Sequence, residues 1–191
     1  MKITELRAFY PRYRVSPAAW RQHFWQIAVH VSTDSGMGGW GYGGGGVAAV
    51  EVVNLHLRDL LIGREIGDIE DISQLWDTQY KASLPYGRSG IAIMAISGVD
   101  LALWDVLARA EGKRVCDLLG GQQRDRVRAY ATGPDYEWYR DMGFDAHKSS
   151  QVRRASPGED ATRILEWAGA ARQALGEEAL LMVDAYMSWT P

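Results

Sequence analysis

Apolar and polar residues alternate along residues 3–10 and again along Phe24-Trp25-Gln26-Ile27-Ala28-Val29-His30-Val31. A period of two predicts strands with one buried face, so the first third of the chain reads as antiparallel sheet. Between the two runs lies a polar loop, residues 11–22, which carries Arg12, Arg14, Pro17 and Trp20. A glycine-rich turn, Asp34-Ser35-Gly36-Met37-Gly38-Gly39, leads to Trp40-Gly41-Tyr42 and then to Gly43-Gly44-Gly45-Gly46. The period then becomes helical. Residues 47–61 form one amphipathic stretch, and residues 69–82 a second, with Asp68 as its N-cap. Residues 89–110 are the longest and most apolar stretch, which predicts a central buried helix. Leu118-Leu119-Gly120-Gly121 ends a short helical turn on a glycine stop.

The pattern changes near Arg124. Strands are predicted over 126–131, 143–148 and 179–184, with helices over 136–142 and 158–175 between them and Gly176 as the second helix's stop. Strand, helix, strand, helix, strand opens a parallel α/β unit. The third strand, Ala179-Leu180-Leu181-Met182-Val183, is a continuous apolar run, which reads as a strand buried on both faces. It stops on Asp184, which lands at the C-terminal edge of the sheet, where such folds place their chemistry. The organisation is therefore an α+β domain over 1–124 and the start of a β/α domain over 125–191.

The chain's 191 residues, 47% hydrophobic and 24% charged, suit one large or two small globular domains. A formal charge of −3 without a basic block argues against nucleic acid or an anionic membrane as partner. Cys116 is the only cysteine, which excludes an intramolecular disulfide and points to a reducing, cytoplasmic setting. The first residues lack a signal peptide's apolar core, and Asp100 and Asp105 interrupt the most apolar segment, so no membrane span is read. The eight tryptophans are scattered and read as core and interface mass.

Ile96-Ser97-Gly98-Val99-Asp100-Leu101-Ala102-Leu103-Trp104-Asp105, then Leu118-Leu119-Gly120-Gly121, Arg124 and Val127 carry a specific pattern. With them the chain resembles the enolase superfamily, in its mandelate racemase/muconate lactonizing enzyme group. Tyr130-Ala131-Thr132-Gly133, Met142-Gly143-Phe144 and Asp184-Ala185-Tyr186-Met187-Ser188 look most like acid-sugar dehydratases of the rhamnonate type. The resemblance implies a capping domain closed over a modified β/α (TIM-like) barrel, in which three carboxylates at successive strand ends hold Mg2+. It implies removal of a proton α to a carboxylate, with the metal stabilising the enediolate and a lysine or histidine as base.

Carried over by position, Asp184 matches the first metal ligand and Lys148 the lysine that ends the second strand. The group often has Lys-x-Lys there; here the string is Lys148-Ser149-Ser150, which departs from it. If Lys148 faces the barrel interior, so does Ser150. The serine disfavours a strand-two lysine base and suits dehydratases that use a later histidine. Tyr186 replaces the usual asparagine. Arg12 and Arg14 lie in the loop that folds over substrate in this group, where guanidinium groups suit a sugar-acid carboxylate.

Each assignment has a plainer competitor. A carboxylate at a strand end alone is more often a helix cap than a ligand; the pattern upstream reverses that balance for Asp184. Lys148 reads equally as a solvated edge lysine or a site lysine. His147 points away from Lys148 and reads as structural. Asp100 and Asp105 read as structural too, bonding neighbouring backbone or Arg109. The glycines at 41–46 lack the Gly-Lys-Ser/Thr ending of a phosphate loop, and in this group they correspond to a second mobile capping loop.

A full barrel needs about 250 residues, so the stretch after Arg124 holds an incomplete one. The expectation is the N-terminal part of an Mg2+-dependent acid-sugar hydro-lyase, inactive by itself, acting on a small-molecule sugar acid and oligomeric with copies of itself when full length. A racemase or cycloisomerase of the same superfamily is the first alternative, and a non-catalytic α/β module the second.

Overall fold

The computed structural model describes residues 1–11, 21–149 and 157–184, in two compact units, Met1–Gln123 and Arg124–Pro191. The first unit opens with β1 (Ile3–Phe9), a helical turn α1 (Arg21–Phe24), β2 (Ile27–Thr33) and β3 (Gly38–Gly43), the strands forming an antiparallel sheet in the order β1-β2-β3. Leu6 and Ala8 stand opposite Val31 and Val29, and Val29 opposite Gly41. Leu6, Ala8, Ile27, Val29 and Val31 are buried, so the alternating runs do place one face in the core. β2 starts three residues later than its apolar run. The Trp25 carbonyl is taken by the Gly46 N–H at 2.8 Å, which holds the start of that run against the next helix instead of in the sheet.

The expected helix over 47–61 is three segments in one: α2 (Gly46–Glu51), a π-helical turn (Val52–Leu57) and α3 (Arg58–Leu61). Its buried residues Ala49, Val53, Leu57 and Leu61 recur every four positions. In an α-helix such residues drift about 40° per step around the axis. The wider π turn cancels that drift and keeps the stripe on the core. It also brings Asn54 to β1, where the side-chain amide accepts from the Ala8 N–H at 2.8 Å and donates to its carbonyl at 3.1 Å.

α4 (Ile69–Ser83) begins as expected on Asp68, whose carboxylate accepts from the Asp71 N–H at 3.0 Å. α5 (Ile91–Glu111) is the core helix, burying Ala95, Ile96, Val99, Leu103 and Leu107 among others. Among the described residues it is the helix long and apolar enough to cross a membrane, and it spends that apolarity on the core. Part of the glycine stretch is strand. Gly39, Gly41 and Gly43 lie on β3 and press on the backbone of α5: a Cβ at Gly39 would sit 2.5 Å from the Ala102 carbonyl oxygen, and one at Gly41 or Gly43 would overlap that of Gly98 or Met94. Asp105 locks this contact as a structural residue, accepting from the Trp40 N–H at 2.8 Å and from Arg109 Nε at 2.9 Å. Asp100 is half-buried, and loss of hydration pushes its carboxyl above the usual range.

No described tryptophan is fully buried, so the core share of their expected role as core and interface mass is limited to packing around it. The core is aliphatic because strand and helix approach too closely to admit an indole. Trp76 and Trp104 pack on its outside, and Trp40 is exposed. α6 (Val115–Leu118) ends the unit in the expected glycine stop, with the Gly121 N–H on the Cys116 carbonyl at 2.8 Å.

The second unit contains β4 (Ala131–Thr132), α7 (Tyr136–Asp141), β5 (Ala146–Ser149), α8 (Pro157–Leu175) and β6 (Leu180–Val183), its strands parallel in the order β4-β5-β6. The strand expected over 126–131 shrinks to β4. Val127 is 82% exposed, with nothing among the described residues to cover it, and Arg128 is held aside by Asp145 at 2.9 Å. β5 starts at Ala146 because Gly143, at φ +87°, and Phe144 close α7, donating to the Arg140 and Tyr139 carbonyls. β6 is not buried on both faces as its apolar run suggested: Leu180 is exposed and Leu181 to Val183 half-buried. It is an edge strand among the described residues, so only part of its surface is covered. Arg172 ties the turn before it, donating to the carbonyls of Gly176, Glu177 and Ala179.

The close contact of β3 with α5 is tested by a matched pair. Gly41→Ala is expected to cost about 1–3 kcal/mol or more through forced backbone separation. Gly169→Ala, mid-helix with open space around it, is expected to gain roughly 0.5–1 kcal/mol. Thermal melts followed by circular dichroism check both; an equal effect of the two changes would contradict the packing described.

A second test concerns Asp117. Hydrogen bonds from the Arg114 guanidinium at 2.8 and 2.9 Å and from its backbone N–H at 3.2 Å hold this carboxyl at about 2. The depressed value means that the interaction supports the fold above the ordinary carboxylate value of 3.8 and is lost as pH falls toward about 2. Carboxyl 13C NMR is expected to show that midpoint, and Arg114→Gln to raise it.

Candidate active site at the parallel strand ends

The pairing of β5 with β6 sets the site. His147 lies opposite Leu181, Lys148 opposite Met182 and Ser149 opposite Val183, and the ladder runs one step further as the Asp184 N–H donates to the Ser149 carbonyl at 2.9 Å. Side chains alternate along a strand, so Lys148, Met182 and Asp184 share one face. His147 takes the other. It is buried, its Nε2 lies 3.2 Å from the Phe144 carbonyl oxygen, and its ring is 5.9 Å from that of Tyr139. This is the structural role expected of it.

On the shared face Lys148 Nζ lies 3.3 Å from Asp184 Oδ2, with side chains 25% and 33% exposed. The pair is shielded enough to interact and open enough to be reached by a small molecule. Lys148 also stands over the Tyr130 ring, 5.1 Å from its centroid. The Tyr130 hydroxyl, and after it the Asp184 carboxylate, hold the Lys148 ammonium above the ordinary lysine range of 10.5. Lys148 is therefore charged at neutral pH. As an ammonium it can meet negative charge or donate a proton.

The structure thus brings together two of the residues singled out from the sequence, Lys148 and Asp184. Arg12, Arg14, Ser150 and Tyr186 lie outside the described residues. Two further groups belong to the same face. Tyr130 was part of a recognised string but received no role, and Thr132 stands in register with Lys148. The signal for both was the period of two, counted back from the end of β4. Among the described residues no three of His, Cys, Asp and Glu come together as a ready cation cage. Asp184 is the described carboxylate at the strand ends that offers a hard oxygen ligand.

Residues 14–120 match the family described as mandelate racemase / muconate lactonizing enzyme, N-terminal domain. A putative L-rhamnonate dehydratase from Caldivirga maquilingensis is 37% identical over 186 residues, covering 95% of this chain and 45% of that protein. The crystal structure of L-rhamnonate dehydratase from Gibberella zeae matches with a TM-score of 0.82 at 30% identity, over 97% of this chain and 52% of that one. A racemase from Streptomyces coelicolor A3(2), solved with bound magnesium, matches with a TM-score of 0.80 at 31% identity, over 98% and 56% of the two chains. The chain spans about half the length of the relatives it matches. The family pattern, which covers more than half of the chain, makes this chain a member of the mandelate racemase/muconate lactonizing enzyme family of the enolase superfamily.

Proposed function

We propose that this chain is the N-terminal part of an acid-sugar dehydratase that uses Mg2+. The observation that carries the reading is the 3.3 Å pairing of Lys148 with Asp184 at neighbouring parallel strand ends, in a chain 37% identical to a rhamnonate dehydratase.

The donor chemistry fits the metal. Asp184 is a partly exposed carboxylate, a hard anionic oxygen donor of the kind Mg2+ takes, and no thiolate or imidazole competes on its face among the described residues. Bound Mg2+ would act as a Lewis acid on the substrate carboxylate. Asp184 would supply one oxygen of its ligand set.

The remaining chemistry belongs to the chain. A proton α to a carboxylate is weakly acidic, because its removal piles negative charge on the carboxylate oxygens. The Lys148 ammonium, fixed over Tyr130 and beside Asp184, meets that charge as it develops. The proton goes to a base other than Lys148. The β-hydroxyl then leaves with a proton as water, and the resulting enol tautomerises to a 2-keto-3-deoxy acid. Arg12, Arg14 and Ser150 are proposed to line the substrate's polar side. Return of the proton to the opposite face would instead give racemisation, as the name of the Streptomyces relative suggests, and the product separates the two readings.

In the full-length protein, Asp184→Asn is expected to lower the rate of 2-keto-3-deoxy acid formation by about 10²–10³ or more, and Lys148→Met by roughly 10². Ser150→Ala is expected to change it less than about tenfold. The pair is partly exposed, so its loss should cost no more than about 1 kcal/mol of stability, which thermal melts check. A folded Asp184→Asn protein with full activity would remove the metal-ligand role. An epimerised substrate in place of a keto acid would favour the racemase.

A further inference from the structure

Lys148 lies on the middle strand of the order β4-β5-β6, between two neighbours of different kind. On the β6 side its Nζ meets the Asp184 carboxylate, 3.3 Å from Oδ2. On the β4 side the ammonium stands over the Tyr130 ring, 5.1 Å from its centroid, and the Tyr130 hydroxyl hydrogen-bonds it. The register brings this about. Thr132 pairs with Lys148, and Tyr130, two residues earlier, falls on the same face. Tyr130 is 48% exposed, so filling the core does not account for its place there.

The two neighbours differ in what else can occupy them. Asp184 offers the hard anionic oxygen that a divalent cation takes. A cation and the Lys148 ammonium on one carboxylate repel each other as like charges, so they compete for it. The Tyr130 side chain is neutral. Its ring face and hydroxyl hold an ammonium, while a divalent cation that favours charged oxygen ligands has little use for them. Among the described residues the lysine therefore has one partner that the metal contests and one that it does not.

We propose that Tyr130 is a positioning residue that retains the Lys148 ammonium at the strand ends when a divalent cation takes Asp184. It acts through Lys148, by drawing the ammonium away from the carboxylate without releasing it from the site. Without Tyr130 the ammonium rests on Asp184 alone, and the cation has to displace it. The inference rests on Asp184 being a metal ligand, and it gives the neighbouring lysine a place compatible with that role.

The test is Mn2+ affinity of the full-length protein by electron paramagnetic resonance, for Tyr130→Leu, Tyr130→Phe, Lys148→Met and the double variant Tyr130→Leu/Lys148→Met, with circular dichroism as the folding control. Tyr130→Leu should weaken Mn2+ binding about three- to fivefold, and Tyr130→Phe, which keeps the ring face, about twofold. In the Lys148→Met background Tyr130→Leu should have no effect, because no ammonium is left to compete. A tyrosine that merely shaped the strand end would weaken binding with or without the lysine. Unchanged affinity in both single Tyr130 variants, or a Tyr130→Leu loss that persists in the Lys148→Met background, would overturn the proposal and leave Asp184 as a ligand. Undiminished affinity in Asp184→Asn would instead remove the metal reading, and this inference with it.

Discussion

The parallel pairing of β5 with β6 is the constraint on which the site depends. One extra ladder bond, from the Asp184 N–H to the Ser149 carbonyl at 2.9 Å, carries the register past the end of β6. Because side chains alternate with a period of two, that register alone decides that Lys148 and Asp184 share a face and meet at 3.3 Å. A slip of one residue would send Asp184 to the side of His147, among buried groups, and leave the lysine alone. The elements around the pair serve this register. Gly143 and Phe144 are spent on closing α7, which starts β5 at Ala146, and Arg172 gathers three carbonyls to deliver the chain into β6.

The first unit is built on a different constraint, the backbone approach of β3 to α5. Three glycines on alternate positions of one strand face Met94, Gly98 and Ala102 of the helix. This explains why the core is aliphatic and why Asp105, read from the sequence as structural, ties the Trp40 N–H at the strand's outer edge. It also explains the glycines at 39, 41 and 43 without a phosphate.

Much of this was legible in the amino-acid pattern. The antiparallel and parallel sheets, the N-cap at Asp68, the buried helix and the position of Asp184 followed from period, capping chemistry and glycine stops. What was not legible depends on contacts that periodicity does not encode. The strand expected from Arg126 is cut short because Val127 has nothing among the described residues to cover it. The π turn was hidden because buried residues every four positions look helical in a sequence. Of the site, the positions of Lys148 and Asp184 were legible and their contact was not. Tyr130 was overlooked because its part is to hold another side chain's charge, which leaves no motif.

We propose that Asp184 ligates a hard divalent cation while Lys148 stands beside it as a charge and not as a ligand. The most direct measurement is Mn2+ binding by the full-length protein, followed by electron paramagnetic resonance, with Mn2+ standing in for Mg2+. Asp184→Asn should weaken binding by roughly tenfold or more. Lys148→Met should leave it unchanged or strengthen it, since the ammonium competes for the same carboxylate. Undiminished Mn2+ affinity in Asp184→Asn, or a loss in Lys148→Met as large as that in Asp184→Asn, would contradict the account.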